Sequence, residues 1–389
     1  MSVKRTYLDY NASAPLLPEA REAMVQAIET AGNASSVHAN GRNARAVVEN
    51  ARDKLGEFAG ASAAQVIFTS GATEAAQLAL SPVLQVKGKD LSLDHLYVSA
   101  IEHPCILSGG RFDEGIRTIL PVTGDGMLDL PEFQLIIANR STGAPFMVAL
   151  MLANNETGII QPIKEVANIV HDAGGYLLVD AVQAAGRIAV DMSELGADFL
   201  ILSSHKIGGP QGAGALVLGN KEIKPRPIIR GGGQEFQLRA GTENVAAIAG
   251  FGVAANLCTG QLDHMRKIIY VRDRFEKDLK TICKPIGNKR GPLVIIGENS
   301  ERLANTTCFA VAGINAETAL ISLDLDGISV SSGSACSSGR VETSHVLTAM
   351  GLDKDIAKSA IRVSIGWNTS EADTKRFLEA WSSYLTRLT

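Results

Sequence analysis

The sequence predicts an α/β protein: a large domain built on a mainly parallel sheet, followed by a smaller α+β domain. Three observations carry this. Short runs that are apolar throughout recur at residues 66–69, 96–99, 147–152, 176–179, 199–202 and 215–218. A strand apolar on both faces is covered on both faces, as in a parallel sheet. Segments with helical spacing separate these runs, and alternating strand and helix builds an open doubly covered sheet. Near residue 258 the character changes to a long helical segment and then to mixed strand and helix.

The elements follow in order. From Pro18, small or apolar residues at Ala20, Ala23, Met24, Ala27 and Ile28 have helical spacing, with Pro18 in the first turn and Gly32 as a stop. A second helix is expected over 42–58. The strands and helices of the sheet come next, then a helix over 261–280. The closing segment EADTKRFLEAWSSYLTRL is also helical. Length alone, at about 150 residues per domain, allows two or three domains. The division expected here is 14–257 for the large domain, with 1–13 joining 258–389 in the smaller one.

Composition narrows the function. Hydrophobic residues make up 46% and charged residues 20%, which excludes a disordered or fibrous chain. With 37 basic against 41 acidic residues, no polybasic surface for nucleic acid or anionic lipid is expected. The N-terminus lacks an apolar core of signal-peptide length, and no stretch approaches the roughly 20 apolar residues of a membrane span. A cytoplasmic protein with reduced thiols is the expectation. Its cysteines stand at 105, 258, 283, 308 and 336, an odd and scattered set with no CxxC pair. That argues against a disulfide framework or a structural zinc site.

Four features fall at the ends of predicted strands, where open α/β sheets place ligands. Phe68-Thr69-Ser70-Gly71-Ala72-Thr73-Glu74 leads from a strand through glycine into a helix, whose N–H groups and dipole suit a phosphate; Thr73 could equally be a plain N-cap. Asp180 closes the strand YLLVD, either as a turn residue or as a buried anion facing a cationic ring nitrogen, with Gln183 nearby. Lys206 lies in SSHKIGGPQGAG, either as a Schiff-base lysine or as part of a solvated loop. Cys336 lies in SVSSGSACSSGR, among serines and glycines rather than in an apolar run, the setting of an accessible thiol. Cys258 and Cys308 look like packing residues, and Cys105 is expected to be a small packing residue too. Arg362, in the apolar stretch AIRVSIGW, needs a carboxylate partner if buried.

Taken in order, GATE, EHP, NNETG, VDAVQAAG, SSHKIGGPQGAGAL, RAGTEN, SSGSACSSG and IRVSIGW resemble the NifS/IscS-type cysteine desulfurases, a branch of the class V aminotransferases and of the fold-type I pyridoxal-phosphate enzymes. The likeness runs from YLDYNASAP to the last helix. The form SSGSAC is similar to the first group of that family; the second carries RxGHHCA at this place. The resemblance implies pyridoxal 5'-phosphate as cofactor, with Lys206 as its Schiff-base lysine, Asp180 against the pyridinium nitrogen and Gln183 on the ring hydroxyl. His103 would stack on the ring and relay protons. Ala72, Thr73, Ser203 and His205 would hold the phosphate, and Thr242 would reach it from the second subunit of a homodimer. Asn155 and Arg362 would bind the substrate carboxylate.

The implied reaction takes sulfur from L-cysteine, leaving L-alanine and a persulfide on Cys336. The sulfur would pass to an acceptor or iron–sulfur scaffold protein, and Cys336 would meet a metal only transiently, in such a cluster. A selenocysteine lyase or a plain class V aminotransferase is the alternative. One departure stands out: the usual Asn-Pro near the start is Asn33-Ala34 here, in a loop expected to border the substrate pocket.

Overall fold

The computed structural model describes residues 5–30, 32–140, 143–261, 264–284, 291–333 and 343–388. Cys336 therefore lies outside the described residues.

A seven-stranded sheet runs in the order Val66–Thr69, Gly214–Leu218, Phe199–Ser203, Tyr176–Asp180, Met147–Met151, Leu96–Ser99, Arg117–Leu120. Gly214–Leu218 pairs antiparallel with both of its neighbours, and the remaining pairs are parallel. The strands 66–69, 96–99, 147–151, 199–203 and 214–218 are buried at every position. This explains their unbroken apolar runs, since helices cover both faces of the sheet.

Helices Pro18–Glu29 and Ala39–Phe58 pack against helix Val245–Gln261. The contact is close: a Cβ added at Gly252 would stand 2.6 Å from the Cα of Ala51. The second helix starts three residues earlier than the sequence suggested because His38 caps it, its Nδ1 accepting the Gly41 N–H at 3.3 Å. Helix 245–261 is missed by periodicity because it is apolar nearly all round, as a buried helix must be. The following helix runs over His264–Cys283 rather than 261–280. A small three-stranded sheet (Val83–Val86, Lys89–Ser92, Ile223–Pro225) was also not foreseen; its half-exposed strands carry no strong apolar pattern.

The C-terminal part holds a four-stranded antiparallel sheet, Leu293–Ile295, Thr306–Val311, Ile361–Ser364 and Ser331–Ser332. Its core is aromatic, with Phe309 edge-on to Trp381 at 5.4 Å and Phe275 edge-on to Phe377 at 5.3 Å. Leu8 is buried in this core, and Thr6–Tyr7 pairs parallel with Ile328–Ser329. The N-terminal segment thus runs along the small sheet before the chain enters the large one. Ile101, Met151 and Ile159 share a further core cluster with Cys308, Val346 and Ile296, joining the two halves beneath the site.

Candidate active site

The C-terminal ends of the parallel strands open into a cavity of about 650 Å³. Strand 66–69 ends in a turn that leads to helix Ala72–Ala79. Thr69 Oγ1 donates to the Gly71 carbonyl at 2.9 Å, and the Ser70 N–H donates to Glu74 Oε2 at 2.8 Å. No side chain caps this helix, so its first N–H groups face the cavity side with the positive end of the dipole. Gly214 passes directly beneath: a Cβ there would be 2.5 Å from the Gly71 carbonyl carbon and 2.8 Å from the Ala72 nitrogen.

Asp180 ends its strand and is buried. Burial raises its carboxyl to about 6, although the Val182 N–H at 2.9 Å and the charge of Lys206 pull the other way. Lys206 follows strand 199–203, and its Nζ donates to the carbonyls of Asn11 (2.6 Å) and Ala12 (2.9 Å). Asn11 also accepts from Gln183 Nε2 at 3.0 Å, while Gln183 Oε1 accepts from Arg187 at 2.5 Å.

His103 caps the short helix Pro104–Leu107, its Nδ1 accepting the Cys105 N–H at 3.2 Å. A backbone N–H can only donate, so the neutral ring carries its proton on Nε2. Burial, then Lys206 and His345, lower His103 to about 4, so the ring is neutral at physiological pH. His205 is also lowered to about 4, by burial and Lys206. Cys105 packs against the core at the cavity wall, as expected of a small packing residue, and sits 3.0 Å from His103 Nδ1. Burial and Asp180 push its thiol up to about 12, so it stays protonated.

Arg362 finds the carboxylate it needs in Asp9, at 2.7 Å from Nη2. Its Nη1 donates to the Asn155 carbonyl at 3.1 Å, and its Nε has no partner among the described residues. Ser331 Oγ donates to the other Asp9 oxygen at 2.7 Å.

The cavity thus gathers Ala72, Thr73, His103, Asn155, Asp180, Gln183, Ser203, His205, Lys206 and Arg362. Thr242 is exposed and does not line the cavity of its own chain. Within its own chain Ala34 lines a separate pocket of about 320 Å³, with Arg52 and Glu235. Sequence reasoning missed Asp9, Asn11 and Glu102. Asp9 and Asn11 lie in the LDYN segment, whose polar residues in an apolar stretch were the available signal. Glu102, from EHP, is fully buried; Oε1 accepts the Met151 N–H at 2.7 Å, and Oε2 has no partner among the described residues. Burial and then Asp180 push its carboxyl well up.

The family model described as "Aminotransferase class-V" matches residues 6–377, and the chain belongs to this family. Its members work with pyridoxal 5'-phosphate. Two similar relatives are a cysteine desulfurase IscS of Dictyoglomus turgidum, 37% identical over 99% of this chain and 95% of its own, and a cysteine desulfurase of Cereibacter sphaeroides, 39% identical over 97% and 95%. Among solved structures, a NifS-like protein from Rickettsia africae superposes with a TM-score of 0.86 at 32% identity, covering 98% of this chain and 99% of the other. The cavity residues fit the cofactor. A buried carboxylate whose pKa burial raises suits a protonated ring nitrogen, an uncapped helix start suits a phosphate, and a lysine lines the same cavity.

Proposed function

We propose that this chain is a cysteine desulfurase that converts L-cysteine to L-alanine and a persulfide on Cys336. The observation that carries the reading is the convergence of Lys206, Asp180, His103 and Arg362 on one cavity above an uncapped helix start. When bound, pyridoxal 5'-phosphate supplies an electron sink for the bond changes at the substrate Cα and Cβ. Asp180 would pair with the ring nitrogen and favour its protonated form, and Gln183 would hydrogen-bond the ring hydroxyl. The backbone of Ala72 and Thr73, with Ser203 and His205, holds the phosphate. Lys206 is the residue that would hold the cofactor's carbonyl end, and its amine would serve to move the substrate α-proton. Arg362 and Asn155 hold the substrate carboxylate. His103, on the cavity wall beside the ring's place, would donate from Nε2.

Cys336 as thiolate attacks the substrate sulfur; the Cβ–S bond breaks, its electron pair stays with the carbon, and a proton completes alanine. One sulfur atom passes from cysteine to Cys336, so no outside oxidant is needed. The persulfide is handed to an acceptor, of which an iron–sulfur scaffold protein is the kind proposed. Cys336 would touch a metal only transiently there. Among the described residues, no helix is long and apolar enough to cross a membrane. A cytoplasmic homodimer belongs to the reading, with Thr242 contributing to the partner's phosphate site. So does a two-domain division at 14–257 and 1–13 plus 258–389.

The test measures alanine and sulfide from L-cysteine. Cys336→Ala should keep cofactor and substrate binding but form no persulfide. Borohydride reduction should fix the cofactor on the peptide containing Lys206. Sulfide release by Cys336→Ala at the wild-type rate, label on another lysine, or amino transfer to keto acids without sulfide would sink the proposal.

A further inference from the structure

The proposed reaction gives Cys105 no task, yet its thiol does more than fill space at the cavity wall. The sulfur stands 3.0 Å from His103 Nδ1. The Cys105 N–H donates to the same nitrogen at 3.2 Å. Pro104 has no N–H, so this is the first backbone donor of helix Pro104–Leu107. A ring nitrogen that accepts a backbone N–H carries no proton of its own in the neutral imidazole. Of Sγ and Nδ1, only the thiol then has a proton to give. Burial pushes that thiol up to about 12, so the proton is present. The Thr73 side chain hydrogen-bonds the same sulfur from the start of helix Ala72–Ala79.

The backbone that carries the thiol is held in place. Gln77 Nε2, from helix 72–79, donates to the Cys105 carbonyl at 3.1 Å, and Ser108 Oγ donates to it at 3.1 Å as well. Ile106, the next residue, is buried in the core that Ala75, Ala76 and Ala79 share. The sulfur therefore meets the ring from a fixed base. Two donors on one edge of an imidazole decide which way round it lies. A half-turn about Cβ–Cγ would set the carbon Cδ2 against both, and the bonds would be lost. Nε2 is left as the one N–H of the neutral ring.

We propose that Cys105 is a positioning residue: its thiol donates to His103 Nδ1 and, with its own backbone N–H, locks the ring in one orientation and one tautomer, the proton on Nε2. The consequence for turnover rests on the desulfurase reading above, because there His103 is the group that donates from Nε2. The hydrogen bond itself does not depend on that reading.

The experiment uses the full-length protein, with and without cofactor, labelled with nitrogen-15 at histidine and studied near neutral pH. The His103 ring resonances are assigned by their loss in His103→Gln. Cys105→Ser keeps a donor in a smaller side chain, and Cys105→Val fills the space without a donor. In Cys105→Ser the Nδ1 resonance should stay near its wild-type position. In Cys105→Val it should move toward that of a less strongly hydrogen-bonded ring nitrogen. In the holoenzyme, Cys105→Val should lower kcat for alanine formation from L-cysteine by about twofold to tenfold, the worth of one hydrogen bond, with KM little changed. Cys105→Ser should recover most of that loss. If Cys105→Val does not fold, Cys105→Ala takes its place, being smaller than either and equally without a donor. Serine and the donor-free variant behaving alike in either measurement, or the donor-free variant lying nearer the wild type, overturns the inference: the cysteine then only packs. No alanine or sulfide from the wild type overturns the desulfurase reading instead, and the Nδ1 resonances still decide whether Cys105 holds the ring.

Discussion

Asp180 is asked to be an anion in a place that disfavours anions. Burial raises its carboxyl to about 6, against an ordinary value near 4. The folded chain therefore binds this proton more tightly than the unfolded chain. The stability tied to it is present below about pH 4 and is lost as pH rises through 6. Asp180→Asn should accordingly make the cofactor-free protein more stable at pH 7.5, by about 1–3 kcal/mol, with the gain vanishing near pH 4. Urea unfolding of both proteins at the two pH values checks this. The same variant should bind the cofactor at least about tenfold more weakly, because the ring nitrogen loses its counter-ion. Equal stability at pH 7.5, or unchanged affinity, would contradict the assignment. His103 shows the opposite sign: its value near 4 makes it a neutral ring with a fixed proton on Nε2. Which nitrogen carries that proton follows from a backbone hydrogen bond that the motif EHP alone does not disclose.

Among the elements, the start of helix 72–79 matters most to the site. Its place depends on Gly214 in the neighbouring antiparallel strand, which any side chain would drive into the Gly71 and Ala72 backbone. Gly214→Ala is expected to cost about 1–3 kcal/mol and to weaken cofactor binding at least about tenfold, since the N–H groups for the phosphate move. Ser370→Ala is the control. It removes the capping box of the last helix, far in sequence from the sheet, and should cost about 1 kcal/mol with no change in cofactor affinity. Cofactor titration by absorbance together with urea unfolding separates the two. Six of the seven sheet strands were legible because both of their faces are buried; the edge strand Arg117–Leu120, mostly part-exposed, was not. Helix 245–261 and the strands 83–86, 89–92 and 223–225 were not: one is apolar all round, and the others are too exposed to show a pattern.

For the whole molecule, the question is where Thr242 works. It is exposed on its own chain and is not part of its own cavity lining. In the proposed dimer it serves the partner's site. Lys206→Ala and Thr242→Ala proteins, each impaired alone, should therefore complement one another when mixed and refolded together. A mixed dimer would hold one site with both Lys206 and Thr242 intact. Steady-state alanine formation should rise above that of either parent; no rise would place Thr242 in its own subunit's site.

Local pattern settled the doubly buried strands of the large sheet and the motifs at their ends. The ordered motifs pointed to Lys206, Asp180, His103 and Arg362 because each residue's chemistry is tied to its immediate neighbours in sequence. Tertiary structure decided what those motifs touch. It brought Asp9 to Arg362 from 353 positions away, the Asn11 carbonyl to Lys206 from 195, and Glu156 to Ser344 from 188. Such pairs leave no local trace. A buried charge or carbonyl needs only some partner within about 3 Å, and which one arrives is fixed by how the two halves of the chain close over the site.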